Sequence, residues 1–197
     1  LIDPFYDKNL SFKNKRNLAM SFSNTAEQAK SAAAAYVNAL LSLLGDRDPV
    51  DTQEKLLASL EAAVEGVFDA ELRRPERPGK WSIIEVIMHL ADTEMVTGFR
   101  LRMIVAHDRP PIPAYDQDLW ARQLKYNDAK LPDALMQLRA MREGNLRLLR
   151  SLAPEQWRRF GLHEERGEES IERLAKMVAA HDLVHLNQIE RIKRAIL

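Results

Sequence analysis

The 197 residues are 46% hydrophobic and include no cysteine, which is enough chain for one full-sized core and leaves out disulfides, thiolate nucleophiles and cysteine-bound zinc. Twenty-nine basic residues balance 29 acidic ones, so no global field draws the chain to nucleic acid, and no nucleic-acid partner is expected. No apolar run is long enough to span a bilayer and no signal-peptide pattern is seen, so no membrane association and a cytoplasmic location are expected.

Residues 1–19 differ in style from the rest, with lysine as the main basic residue and Asn9, Asn14 and Asn17 set among aromatics without a period. Met20 reads as a natural start. Residues 1–19 are therefore expected to be a leader or vector-derived segment, and 20–197 a single helical domain. A first helix is predicted from about Thr25 to Leu44, with Tyr36, Val37, Leu40, Leu41 and Leu44 on its apolar face and Gly45 as its stop. A second runs from about Val50 to Phe68. Pro75, Pro78 and Gly79 make 73–79 a loop.

Ser82 and Glu85 then form an S-x-x-E capping box, opening a helix that passes His89 and reaches about Ala106. A long non-periodic segment follows to about Lys130. Helix–helix connections usually take about 2–8 residues, so this one either crosses over the bundle or caps a site. A helix from Pro132 to about Leu152, a loop from Pro154 to Gly167, and a last helix from about Glu169 to Ala195 complete the chain. No segment shows strand periodicity. The class is all-α: a four-helix bundle with an additional N-terminal helix and a long connection between the second and third bundle helices.

Histidines interrupt this pattern. His107 falls at a helix C-terminus, where partial positive charge suits the dipole, and His163 lies in a loop as a substrate or outer contact. His181 and His185 are one turn apart, and at about 100° per residue their rings share a face. Ala179, Ala180, Leu183, Val184 and Ile189 place that face in the core, as Leu90 and Ala91 do for His89. Buried imidazoles need partners, so a metal or mutual hydrogen bonding is required. Two imidazoles one turn apart with a third from a facing helix make a three-nitrogen divalent-metal site with open positions. Asp182 stands where a zincin would carry glutamate, so the peptidase reading fails.

Helical spacing nominates further groups. Asp92, three residues after His89, is a candidate to accept a proton or orient water, with a structural hydrogen bond as its competing role. Gln188, three after His185, extends the same stripe toward substrate. Tyr115, Asp116 and Trp120 in the long connection are candidate wall or lid residues, although Trp120 reads better as a plug for the bundle end. Asp182 points about 100° away from His181, toward the surface or another helix.

The segments GKWSIIEVIMHLADTE, FRLRMIVAHDRPPIPAYDQDLWA and HDLVHLNQIERI together resemble the DinB/YfiT-like metalloenzymes, the DNA-damage-inducible DinB superfamily of bacterial four-helix bundles. The resemblance covers roughly residues 30–197. It implies a divalent metal, nickel or zinc, held by His89, His181 and His185. It also implies a metal-dependent hydrolase or a thiol-dependent S-transferase that uses a low-molecular-weight thiol, acting on an unidentified small molecule, and a homodimer. The competing class is a non-catalytic, metal-binding stress-response bundle with a structural or binding role.

Overall fold

The structure is a computed structural model and describes residues 35 and 37–196; the expected leader and the first part of the predicted N-terminal helix lie outside them. A helix ending at residue 44 (α1, 37–44) precedes α2 (Pro49–Val64), the single turn α3 (Asp69–Leu72) and α4 (Ile83–Ala106). Strand β1 (Pro111–Ile112) and α5 (Gln117–Gln123) follow, then α6 (Leu131–Ser151), β2 (Phe160–His163), β3 (Gly167–Ser170) and α7 (Ile171–Ile196). The four long helices α2, α4, α6 and α7 make the bundle. No helix among the described residues is long and apolar enough to cross a membrane.

The helix ends follow from local chemistry. Ser82 Oγ accepts from Glu85 N at 3.4 Å while Glu85 Oε2 accepts from Ser82 N at 2.8 Å, the reciprocal capping box read from the sequence. Asp48 Oδ1 caps α2 through the amides of Val50 and Asp51. Ser170 Oγ accepts from Arg173 N, so α7 starts at Ile171, and Glu169, expected as its first residue, is drawn into β3. The predicted second helix stops four residues early, at Val64, because Glu65 turns extended.

Pairings along the helices give their directions. Asp92 meets Gln137 and Arg102 meets Asn145, so α4 and α6 run parallel. His89 meets His181 near the N-terminal third of α4, while Ile104 packs with Ile171 and Leu174, so α7 is antiparallel to α4. Glu61–Arg139 and Glu54–Arg150 make α2 antiparallel to α6. Two parallel neighbours cannot be joined by a short loop, and the long connection 107–130 is therefore a crossover. The close approach of α4 to α6 needs Gly98: a Cβ there would sit 2.5 Å from Asn145 Oδ1.

Two departures from the sequence reading lie in the connections. A three-stranded sheet, with β1 parallel to β2 and β2 antiparallel to β3, stands where no strand was expected. Its strands have two to four residues, too few for an alternating pattern to register. Gly161 lets β2 approach β1, since a Cβ there would meet Ile112 Cδ1 at 2.5 Å. The crossover also holds α5, a seven-residue helix capped by Asp116 Oδ1 on Leu119 N, which is under two turns of periodic signal.

The apolar core is split. One cluster, including Leu60, Ile87, Leu138 and Ile189, fills one end of the bundle, and another, including Leu101, Ile104, Leu149 and Leu174, fills the other. Between them lies a buried polar layer centred on Arg142, 1% exposed. Its guanidinium reaches Asp182 on α7 through two hydrogen bonds of 2.6 and 3.0 Å, Glu94 on α4 at 2.9 Å and the Gln53 carbonyl on α2 at 3.1 Å. Asn145 Nδ2 donates to the Glu94 carboxylate and carbonyl. One side chain from α6 thus binds the other three bundle helices.

Arg142→Met leaves Glu94 and Asp182 buried without their cation and is expected to cost about 3–5 kcal/mol of unfolding free energy in urea titrations. Replacing all three charged residues by apolar ones of similar size should cost far less than the single change.

Candidate metal centre

His89 comes from the first third of α4 and His181 and His185 from the middle of α7, where the antiparallel pair brings the three rings to one level of the polar layer. His181 Nε2 lies 3.1 Å from His89 Nε2 and 3.0 Å from His185 Nε2, and the three ligand nitrogens all fall within 4.8 Å of one another. A ring nitrogen holds either a proton or a lone pair, so His181 Nε2 cannot serve both neighbours with well-formed hydrogen bonds. A single cation accepting three lone pairs satisfies all of them, and such separations suit nitrogens sharing an ion at bonds of about 2.1 Å.

Tautomer and charge agree with that fit. His185 Nδ1 lies 2.7 Å from the Gln188 side-chain oxygen, which accepts its proton and leaves the Nε2 lone pair aimed at the other rings. Burial pushes His89 well below the usual imidazole range, helped by His185. Burial does the same to His181, helped by His185, His89 and the Arg142 charge. Neutral rings are the form a metal requires. Among the described residues no fourth histidine or carboxylate joins the group.

His89 and His185 are buried, while His181 is partly exposed, on the wall of a cavity of about 240 Å³. Thr93, Thr97 and Arg100 of α4, Tyr115 of the crossover and His163 of β2 form other parts of that wall. Leu40 of α1 lines it too, and packs with Leu44 against Ala179 and Ala180 of α7. A larger groove, about 360 Å³, runs between α2 and α6, but none of the three histidines lines it and its exposed charges pair across it as Arg139–Glu61 and Arg150–Glu54.

The other nominated residues divide. Tyr115 and His163 line the cavity. Asp92 does not: Tyr126 Oη donates to one carboxylate oxygen at 2.5 Å and Gln137 Nε2 to the other at 2.9 Å, so its structural role is the one realised. Gln188 is 3% exposed and engaged with His185, which makes it a positioning residue. Asp116 is spent on capping α5. Trp120 packs at the edge of the first core cluster, its ring 4.7 Å from that of Tyr115, as a plug does. Asp182 faces Arg142, and burial pushes it up to about 6 against the pull of that guanidinium.

Sequence reasoning missed Arg142 and Arg100. Arg142 had a usable signal: Leu138, Leu146 and Leu149 flank it on one helical face, so a cation stands in an apolar stripe. Arg100 is 8% exposed and donates to the Pro113 carbonyl at 2.6 Å, a contact that depends on the crossover path.

Residues 53–189 match the sequence profile of the DinB superfamily. The chain is 30% identical over 149 residues to "Putative metal-dependent hydrolase YfiT" of Bacillus subtilis, covering 72% of this chain and 82% of that one. It is 32% identical over 136 residues to another protein named as a putative metal-dependent hydrolase, from Oceanobacillus iheyensis, covering 69% and 78%. A solved structure of YfiT from Bacillus subtilis, described as a probable metal-dependent hydrolase with an unusual four-helix bundle topology, superposes with a TM-score of 0.70. It is 26% identical, covering 74% of this chain and 84% of that one.

His163 generates a pH prediction. Its Nδ1 accepts from the amides of Glu165 and Arg166, and burial, with Arg166 and Arg100 adding to it, lowers its pKa from 6.5 to about 4. The unfolded chain then binds the proton first, so this contribution to stability is complete above about pH 6.5 and lost as the pH falls to about 4. In urea unfolding, His163→Asn, which keeps an acceptor at the δ position but does not titrate, should lose less stability than the parent between pH 7 and 4, by about 3 kcal/mol. Equal losses would show that His163 is not held neutral.

Proposed function

This chain belongs to the DinB superfamily, and on that footing we propose that it is a divalent-metal-dependent enzyme acting on a small molecule. His89, His181 and His185 are its metal ligands. The observation that carries this reading is the meeting of three ring nitrogens beside an open cavity, His181 Nε2 at 3.1 Å from that of His89 and 3.0 Å from that of His185. Three protein ligands with space next to them are the pattern of a catalytic site, whereas structural sites close with a fourth. A cation held there supplies Lewis acidity, lowering the pKa of a coordinated water or thiol. Water as nucleophile makes the enzyme a hydrolase, the type that its relatives' names give; a thiol makes it an S-transferase and requires a low-molecular-weight thiol, since the chain has no cysteine. Nickel and zinc both accept three imidazoles.

The chain's own groups do the rest. The neutral imidazoles keep their lone pairs because burial opposes protonation. Gln188 fixes the ring of His185. Thr93 Oγ1 and Tyr115 Oη, 3.0 Å apart, offer hydroxyls to a substrate on the wall. Burial pushes the Tyr115 phenol up, so it serves as a neutral donor at physiological pH.

Protein purified without a histidine tag is expected to hold one nickel or zinc per chain by mass spectrometry of the metals. His89→Ala and His185→Ala should lose it while staying folded by circular dichroism, and Gln188→Leu should weaken metal affinity by about 10–100-fold. Full occupancy in both alanine variants would rule out the ligand assignment.

A further inference from the structure

The buried carboxylates of the polar layer are all accounted for. Asp92 is held by Tyr126 and Gln137, Glu94 and Asp182 by Arg142, and Glu169 by a fork from Arg166 at 2.7 and 2.9 Å. Arg100 is the exception among the buried ions. It forms no ion pair with any described residue, its Nε is buried without a partner, and its remaining contacts are the Pro113 carbonyl and the face of Tyr115, 5.9 Å away. Burial and the neighbouring Arg166 charge oppose its cation, and the Glu169 carboxylate that attracts it is already held by Arg166, so this guanidinium out of water is costly.

A second orphan lies on the same cavity wall. His163 is 3% exposed, and its Nδ1 accepts from two backbone amides, so the neutral ring carries its proton on Nε2. That Nε2 is buried with no hydrogen-bond partner. The residues that carry these two donors, one charged and one neutral, both line a space of about 240 Å³ that also reaches His181.

We propose that Arg100 and His163 form a carboxylate subsite, and that the substrate is a small molecule bearing a carboxylate held there while its reacting group lies toward His181. The placement of the reacting group rests on the metal-enzyme reading above; the anion subsite itself stands on the two orphaned donors. Two free donors match the two oxygens of a carboxylate; of the other charged groups on the wall, Arg166 is already held by Glu169 and Glu165 is an anion, which disfavours the second charge of a phosphate dianion. The sheet gives His163 its place: β2 pairs it with Ile112, and Arg166 and Glu169 lock the hairpin from within. His163 and Arg100 are specificity residues and make no claim on the bond that reacts.

The test is a titration of the protein as purified, and of chelator-treated protein in parallel, with butyrate and its neutral isostere butyramide, followed by amide 1H–15N shifts. Butyrate should give saturable shifts concentrated at 163–166 and along 97–115, with the same affinity after chelation and in His89→Ala. Butyramide should bind at least about tenfold more weakly, and Arg100→Met and His163→Asn should each weaken butyrate by about tenfold or more. Arg100→Lys and His163→Gln, which return a cation and an N–H at the ε position, should recover part of the loss. His163→Asn tests its donor alone should Arg100→Met fail to fold. Absence of binding, equal binding of butyramide, tighter binding of inorganic phosphate, or unchanged affinity in the variants overturns the proposal. Butyrate binding in a protein that takes up no metal would remove the metal reading and leave the subsite; metal uptake without butyrate binding would do the reverse.

Discussion

Everything in the middle of this bundle is arranged around the guanidinium of Arg142. A cation 1% exposed must be surrounded by acceptors, and those here come from three different helices: Asp182, Glu94 and the Gln53 carbonyl. An apolar contact tolerates rotation of a helix by some tens of degrees, but a bidentate ion pair does not. Fixing Asp182 on Arg142 sets the rotation of α7, and fixing Glu94 sets that of α4. Since His181 precedes Asp182 by one position, about 100° round the helix, the ion pair on one side of α7 aims the imidazole on the other. The charge network and the candidate metal centre are thus two faces of one constraint.

That constraint needs the crossover. Arg142 and Asn145 can reach Glu94 at its carboxylate and carbonyl because α6 runs parallel to α4 and approaches it closely at Gly98. Parallel neighbours oblige the chain to travel the length of the bundle between them, and the returning segment 107–130 supplies Tyr115 to the cavity wall and Tyr126 to Asp92. The same segment provides β1, against which β2 pairs and holds His163. Topology required by the core therefore delivers the side chains that enclose the site.

What could be read from the sequence follows from the range of each interaction. The long helices and the three histidines were visible because an amphipathic pattern and an HxxxH spacing are local, repeated every few residues and carried by one helix each. The capping box at Ser82 was visible for the same reason. The sheet was not, because its strands have only two to four residues and β1 is held by a partner some fifty positions away, as in Pro111 with Leu162. Asp92 was nominated on helical spacing and Asp116 on its place in the long connection. Spacing places a carboxylate on a face but does not show which donors already occupy it, and both turned out to be committed to structural hydrogen bonds. Arg142 could have been found as a charge within the Leu138–Leu146–Leu149 stripe. Arg100 could not, since its burial is produced by the crossover and the hairpin together.

The division of the core into two apolar clusters explains how a polar layer survives between them. Each cluster fills one end, and the layer meets open space sideways, at the cavity beside His181 and at the groove between α2 and α6 that Arg142 lines. Within the layer, Asp92, Glu94, Arg142, Asn145 and Asp182 all have close protein partners, with Glu94 Oε2 held by its ion pair to Arg142 and Arg142 Nε left without an acceptor. Of the buried atoms without a hydrogen-bond partner, His181 Nδ1, His163 Nε2 and Arg100 Nε belong to residues that line the cavity, while Glu94 Oε2, Arg142 Nε and Arg173 Nε belong to residues that do not. Folding alone would favour satisfying or removing such atoms, because each orphaned buried donor costs stability. The grouping of three of them around one opening, next to three imidazoles that a cation would complete, is the pattern of a site whose missing partners are ligands rather than protein.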